Sequence, residues 1–152
     1  MFSIVVVSLN AGDKLLETIG SIARQSYSDY EVVVKDGGSK DGSVEKLREK
    51  IEHYPEEIKQ RISIFEEKDG SIYEGMNQAI EKTAGKYLYF LNCGDYFYSD
   101  EALEQFAWEI QSKESLEEYH ISYLVINNVK SIIKALIIST IYLPPITILP
   151  NS

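Results

Sequence analysis

Four short apolar runs, separated by longer amphipathic segments, constrain the fold of this chain more than any other feature. The runs have the length of strands, are rich in valine, isoleucine and aromatic residues, and cover residues 2–9, 31–35, 62–65 and 87–91. Between them, apolar residues recur every three or four positions, which is the period of an amphipathic helix. The order β-α-β-α-β-α-β predicts an α/β fold: a doubly wound, mostly parallel sheet with right-handed crossovers.

Capping residues predict where two of the helices begin and end. Asn10 follows the first strand and is expected to cap the first helix, with Asp13 in that helix's first turn. The apolar period of the third helix starts at Ile72 and stops at Thr83, so Gly85 is expected to end it in a left-handed conformation.

Polar residues follow the strands at the edge where ligands bind in such sheets. The carboxyl ends of parallel strands gather on one side, and that edge is expected to collect Asn10, Asp36, Asp69 and Asp95. Three converging carboxylates are not what stability alone would select, so a ligand site is predicted there. Taken by itself, Asp95 fits an acid in an ordinary solvated turn better than a ligand-binding residue.

The turn at residues 36–43, DGGSKDGS, is the most glycine-rich part of the chain. It is neither GxGxxG nor a P-loop, because it lacks the GK[ST] ending. An acid directly at the strand end suits a ribose hydroxyl or a base N–H better than a phosphate. A flexible turn without a ligand remains the alternative.

Size and charge exclude some classes of partner. A chain of 152 residues fits one domain with a sizeable core, and a net charge of −9 argues against a nucleic-acid partner. A phosphate ligand remains possible, since a bound divalent cation can dominate the local field. The single cysteine, Cys93, cannot form an internal disulfide, and Met1 leads into the first strand without a basic leader, so a cytoplasmic location is expected.

Three stretches together resemble the nucleotide-binding half of family 2 glycosyltransferases with the GT-A fold. They are SIVVVSLN, EVVVKDGGSKDGS and EKDGSIYEGMNQAIEKTAGKYLYFLNCGDYF. The likeness is strongest to bacterial enzymes of polysaccharide assembly that carry a DGGSxDGT turn, an IYxxMNxG helix and an FLNxGD strand end. It covers residues 3 to about 110. It implies inverting transfer of a sugar from a nucleotide-diphosphate sugar to a glycan or lipid-linked acceptor. Among the possible donors, a UDP-sugar is the first choice.

The resemblance also implies a role for each matching residue of the nucleoside site. Val7 and Asn10 would line the nucleoside pocket, and Asp36 would contact the base or the ribose. Asp69 would form the opposite wall, and Asn77 would brace the site from the helix.

A metal site is implied at the end of the last strand. Asp95 matches the last acid of the family's DxD-type motif, which holds Mn²⁺ or Mg²⁺ against the diphosphate. Such ions are commonly held by only one or two protein carboxylates, with phosphate oxygens and waters completing the shell. The chain departs from the common pattern at Gly37 and Gly94, where many members have an acid, and at Ser71, where a glycine is usual.

The end of the chain differs sharply in composition from the rest. No acid follows Glu118, and nothing after about Gln111 matches the family, so the catalytic base is not assigned. We therefore divide the chain into a nucleotide-sugar-binding domain, residues 1–115, and a divergent apolar tail, residues 116–152. The lone His120 in the tail is expected to be structural or on the surface.

Three interpretations of the tail stay open. Residues 132–149 have the minimum length of a membrane span, although Lys134 and the Pro144-Pro145 pair interrupt them. The tail could instead form buried strands or a docking helix. A truncation or a shift of reading frame ranks marginally first. The tail is rich in isoleucine, asparagine and lysine and has no acids, which is the composition that out-of-frame reading of an AT-rich gene would produce. If the tail is not built into the sheet, it is expected to be poorly ordered or buried against a second copy or the inner face of the membrane.

Two other functions are alternatives to a glycosyltransferase. A nucleotide-sugar-binding remnant without turnover would keep the donor site and lack the acceptor site and the base. A receiver-like signalling domain would need an acidic pair after the first strand and a lysine after a late strand. Ser8-Leu9-Asn10 and the acid-free tail supply neither of these features.

Overall fold

The computed structural model describes residues 1–113, 122–124 and 135–139. Within these residues the elements are β1 (Phe2–Ser8), α1 (Asp13–Ala23), β2 (Tyr30–Asp36), α2 (Ser43–Ile51), α3 (Glu56–Lys59), β3 (Ile62–Glu66), α4 (Ile72–Ile80), β4 (Tyr87–Phe90), α5 (Ala102–Lys113), β5 (Ser122–Leu124) and β6 (Ala135–Ser139).

The six strands form one mixed sheet in the order β3-β2-β1-β4-β6-β5. The first four pair in parallel, whereas β6 runs antiparallel to β4 and β5 antiparallel to β6. The α/β class and the doubly wound, mostly parallel sheet predicted from the sequence are therefore confirmed.

Helices cover both faces of the parallel strands. On one face, Ile4 and Val6 of β1 belong to a buried cluster that also takes in residues of α1, α2 and α5. On the other face, Val5 packs with Ala79 of α4. Burial on both sides explains why the first strand is a continuous apolar run rather than an alternating one.

The order of the strands places a crevice between β1 and β4. From β1 the chain moves outward to β2 and β3, then returns through α4 to β4 on the opposite side of β1. This reversal is the topological switch point, and ligands of open α/β sheets bind there, beyond the carboxyl ends of the strands.

Both predicted helix caps are wrong, for different physical reasons. Gly12 occupies the position before α1, and Asn10 instead has a left-handed φ of 48° in the loop, although Asp13 does lie in the first turn as predicted. Gly85 is not among the glycines with positive φ, because α4 ends at Ile80 and continues into right-handed turns.

Gly85 is required by space rather than by conformation. A Cβ at this position would lie 2.7 Å from the backbone nitrogen of Ser3 and 2.9 Å from the carbonyl carbon of Phe2. The chain therefore passes directly against the start of β1 as it enters β4. A side chain there would push the two strands apart.

Several elements were not predicted individually. α3 and α5 had no assignment, although Leu103, Phe106 and Ala107 of α5 are buried in the core at helical spacing. β5 and β6 lie in the segment predicted to be a divergent tail. The predicted span of residues 132–149 falls mostly outside the described residues, and its described part, β6, is a strand. Among the described helices, none has the length and apolarity needed to cross a membrane.

Candidate functional site

A cleft of about 680 Å³ lies at the switch point of the sheet. Its walls come from the end of β1 and the following loop (residues 7–12), from the loop that leads into α4 (residues 69–72), and from the turn after β4 (Asn92 and Cys93). Lys14 and Asp41 complete the lining. This volume is within the range of small-molecule sites, roughly 300–1,000 Å³.

Val7 and Asn10, both predicted for the nucleoside pocket, line this cleft. The backbone nitrogen of Asn10 donates to Ser39 Oγ at 2.7 Å, and its side-chain Oδ1 accepts from the Lys40 nitrogen at 2.8 Å. Asn10 therefore ties the loop after β1 to the glycine-rich turn after β2, instead of capping α1.

Asp36 is fully buried and is not part of the cleft lining. Its Oδ1 accepts hydrogen bonds from the backbone nitrogens of Gly38 and Ser39 at 2.9 and 2.7 Å. Its Oδ2 accepts from Ser39 Oγ at 2.6 Å. The carboxylate thus shapes its own turn, and a contact with the base or ribose stays a prediction.

Asp41 is a site residue that the sequence analysis did not single out. Its Oδ2 accepts from the Gly12 nitrogen at 2.8 Å, and its Oδ1 accepts from Ser43 Oγ at 2.6 Å. These bonds hold the pKa of Asp41 below its usual value, with the Ser43 hydroxyl as the largest cause. The Asp-Gly-Ser order was an available signal, because an aspartate at a turn commonly bonds the backbone two residues on.

A buried ion pair fixes the carboxylate of Asp69. Lys35 Nζ lies 2.7 Å from Asp69 Oδ2, and the two side chains are 1% and 8% exposed. The same amine donates to the carbonyl oxygens of Asp36 and Glu67, so all three of its protons have acceptors. Asp69 lines the cleft, and its contact with the nucleoside stays a prediction. Its partner Lys35 was not among the predicted site residues.

Two glycines make room for the Asp69 carboxylate. A Cβ at Gly37 would lie 2.9 Å from Asp69 Oδ2, and a Cβ at Gly75 would lie 3.0 Å from the same atom. An acid at position 37, as in many family members, would bring a second carboxylate against Asp69. The sequence departure at Gly37 therefore matches the local packing.

The turn after β4 is anchored to α1. Thr18 Oγ1 donates to the Asp95 carbonyl and accepts from the Gly94 nitrogen, both at 2.8 Å. Gly94 has a φ of 100°, a conformation that suits glycine. Burial raises the pKa of the Cys93 thiol in this turn.

Asp95 is half-buried and is not part of the cleft lining. Its negative charge helps to raise the pKa of Tyr89, after burial, which is the larger cause. No described residue donates a hydrogen bond to the Asp95 carboxylate. No described residue therefore occupies this carboxylate, and its assignment as a metal ligand stays a prediction.

The donor set favours a cation that arrives with its ligand. Among the described residues, no group of three histidine, cysteine, aspartate or glutamate side chains could hold a metal. A single carboxylate still suits Mg²⁺ or Mn²⁺ when phosphate oxygens and waters supply the other ligands. The described residues therefore fit a cation that shares its ligands with a diphosphate, and they do not fit a permanently held cation.

Asn77 lies away from the cleft. Its side chain is exposed on α4 and is not among the lining residues. The bracing role predicted for it has no contact in the structure that supports it, and it stays a prediction.

Known proteins share both sequence and fold with this chain. The profile of Glycosyl transferase family 2 matches residues 3–117. A PGL/p-HBAD biosynthesis glycosyltransferase of Mycobacterium tuberculosis is 32% identical over 107 residues, which is 70% of this chain and 40% of the relative. The chain spans about 40% of the length of the curated relatives of this group.

Two solved structures share the fold at lower identity. Staphylococcus aureus TarS 1-349 in complex with UDP-GlcNAc has a TM-score of 0.63 at 24% identity, over 73% of this chain and 31% of that one. The mannosyltransferase PcManGT from Pyrobaculum calidifontis, in complex with GDP-Man and Mn²⁺, has a TM-score of 0.64 at 21% identity, over 74% of this chain and 32% of that one.

The profile match covers most of the chain, and the sheet, its switch point and the cleft agree with it. The chain therefore belongs to glycosyltransferase family 2 and has the GT-A fold.

Proposed function

We propose that this chain is the donor-binding part of a glycosyltransferase and binds a nucleotide-diphosphate sugar. A UDP-sugar is the first choice of donor. The observation that carries the proposal is the cleft at the switch point. Its lining includes Val7, Asn10 and Asp69, three residues to which the family resemblance assigns the nucleoside. TarS, a structure of the same fold, contains UDP-GlcNAc.

The nucleoside end of the cleft is the end that holds Asp69. Lys35 occupies Oδ2 of this carboxylate, and no described residue donates to Oδ1. An ionised carboxylate only accepts hydrogen bonds, so Oδ1 suits a base N–H or a ribose hydroxyl. The ion pair keeps the carboxylate in one orientation before the ligand arrives.

The diphosphate end is the turn after β4, where Asp95 would hold Mn²⁺ or Mg²⁺ together with the phosphate oxygens. A bound cation there would stabilise the negative charge of the departing diphosphate. PcManGT was solved with both GDP-Man and Mn²⁺, which supports a cation at this kind of site.

The family resemblance is the basis for the proposed acceptor and for the proposed stereochemistry of the transfer. The acceptor is a glycan or a lipid-linked sugar, and the transfer inverts the anomeric centre. We place the protein in the cytoplasm, at the inner face of the membrane when the acceptor is lipid-linked. A general base is required for the acceptor hydroxyl, and none of the residues described above has this role.

Calorimetric titration with UDP tests the donor site. We expect UDP to bind in the presence of Mn²⁺ and hardly at all in EDTA. Asp95→Asn should weaken the Mn²⁺-dependent binding at least about ten-fold, since even residues around a metal's direct ligands contribute 10–100-fold. Asp100→Asn is the matched control, because Asp100 is exposed and, among the described residues, forms an ion pair only with Arg24. Equal binding in EDTA and Mn²⁺ would remove the metal role of Asp95.

A nucleotide-sugar-binding protein without turnover is the second candidate, because residues 119–152 contain no acid and no described residue is assigned as the base. Release of UDP from a UDP-sugar, measured with and without free and lipid-linked sugar acceptors, separates the two. Acceptor-stimulated turnover above roughly one per second would be ordinary for an enzyme and would exclude the binding-only candidate.

A further inference from the structure

Lys14 is the single basic side chain among the described residues that line the cleft. It lies in the first turn of α1 and is exposed. It belongs neither to the turn motifs nor to the strand ends from which the site was predicted.

The stem of Lys14 lies across the turn that carries Asp95. A Cβ at Gly94 would lie 3.4 Å from Lys14 Cδ. Thr18, four residues further along α1, hydrogen-bonds both Gly94 and Asp95 in that turn. Residues four apart lie on the same face of a helix, so one face of α1 both anchors this turn and covers it with a lysine.

The charge of Lys14 is not neutralised by its surroundings. Its amine makes no hydrogen bond or ion pair with any described residue, and the adjacent Asp13 pairs with Lys46 instead. The two acids in the lining are already occupied, Asp69 by Lys35 and Asp41 by Ser43 and Gly12. An anion entering this part of the cleft would meet an unpaired cation.

The turn under the stem of Lys14 also lines the cleft, through Asn92 and Cys93. Cys93 lies between Asn92 and Gly94, in the turn to which the proposed function assigns the diphosphate.

We propose that Lys14 binds the diphosphate of the nucleotide-sugar donor, at the point where many family members have a second acid and this chain has Gly94. This inference rests on the proposed function and extends it, because it names a binding residue that the family motifs do not include. A lysine supplies three donors without an acceptor, and its hydrogen bonds to phosphate oxygens are charge-assisted. Together with a cation on Asp95, it would balance the charge of the diphosphate.

The test compares uridine with UDP on the full chain, by calorimetry in the presence of Mn²⁺. Lys14→Met should weaken UDP binding about ten-fold or more, as expected for the loss of a hydrogen bond to a charged group, and leave uridine binding unchanged. Lys14→Arg should restore most of the UDP affinity. Lys59→Met is the control for lost charge, because α3 precedes β3 and so lies at the opposite end of the strands.

Unchanged UDP affinity in Lys14→Met, or an equal loss for uridine and UDP, would overturn the role of Lys14 while leaving the donor site intact. A wild-type chain that binds no nucleoside diphosphate would overturn the proposed function and this inference with it. Thermal unfolding by circular dichroism confirms that the variants fold, as expected for substitutions at an exposed lysine.

Discussion

The buried pair of Lys35 and Asp69 determines how much charge the cleft presents to a ligand. With 1% and 8% of their side chains exposed, the two groups neutralise each other out of contact with bulk water. The strongly acidic chain therefore offers a nucleotide a cleft in which one of its two acids is already paired. This removes much of the repulsion that a diphosphate would otherwise meet.

Removing the lysine should expose the importance of the pair. Lys35→Met leaves Asp69 buried without its partner, so the free energy of unfolding should fall by about 3–5 kcal/mol. Lys46→Met removes an exposed ion pair with Asp13, in which the two side chains are 56% and 75% exposed. This variant should change the free energy of unfolding by less than about 1 kcal/mol. Urea unfolding of both variants measures the difference. Equal effects would show that the buried pair contributes no more than a surface one.

At the residue scale, the sequence pointed to residues at the strand ends but not to the partners that hold them. Val7, Asn10 and Asp69 were predicted for the site and line the cleft, whereas Asp36, Asn77 and Asp95 do not. Lys35 was not foreseen, because a lysine at a strand end is ordinarily exposed. Its burial depends on acceptors from a loop more than thirty residues away, and no local pattern encodes that contact.

At the scale of elements, hydrogen bonds join the turn at residues 36–43 to the loop after β1 as one unit. Asp41 accepts from Gly12 in the loop after β1, and Asn10 in that loop contacts Ser39 and Lys40 in the turn. The glycine-rich turn therefore supports the cleft wall through hydrogen bonds rather than through a phosphate cradle.

This arrangement predicts a shift in the titration of Asp41. Ser43→Ala removes the largest cause of its lowered pKa, so the pKa should rise toward the ordinary value of about 3.9. A lowered folded-state pKa stabilises the fold above the ordinary pKa, and this contribution is lost as the pH falls through the lowered value. Carboxyl carbon NMR titration measures the shift.

The control for this titration is Ser39→Ala. It removes a hydroxyl from the same turn that bonds Asp36 and Asn10 but not Asp41. An unchanged Asp41 pKa in Ser43→Ala, or the same change in both variants, would show that the Ser43 hydroxyl is not the cause.

The elements themselves were largely predictable. The four parallel strands agree with their predicted runs to within one residue at each end, because burial on both faces leaves a continuous apolar signal. The caps failed, because a cap depends on local backbone geometry that Asn10 and Gly85 do not dictate alone. α5 carries its core residues at helical spacing, so its apolar period in the sequence is sufficient to predict this helix.

At the scale of the whole molecule, the site exists only because the chain reverses direction across β1. Residues 7–12, 69–72 and 92–93 are far apart in sequence, and the order β3-β2-β1-β4 brings them to one cleft. The sequence predicted this edge from the strand order. Strands in the tail were one of the three interpretations that the sequence left open, and the described part of the tail does contain β5 and β6. The sequence did not predict that β6 pairs with β4, because the composition of the tail differs from that of the first four strands.

The central claim is that a nucleoside diphosphate binds in the cleft between β1 and β4, and amide NMR of the full chain with UDP and Mg²⁺ tests it most directly. We expect the UDP-dependent shifts to concentrate in residues 7–12, 69–72 and 92–93, with α3 and the start of β3 unchanged. Shifts centred on α3 and the outer edge of β3, or no shifts at saturating UDP and Mg²⁺, would contradict the account.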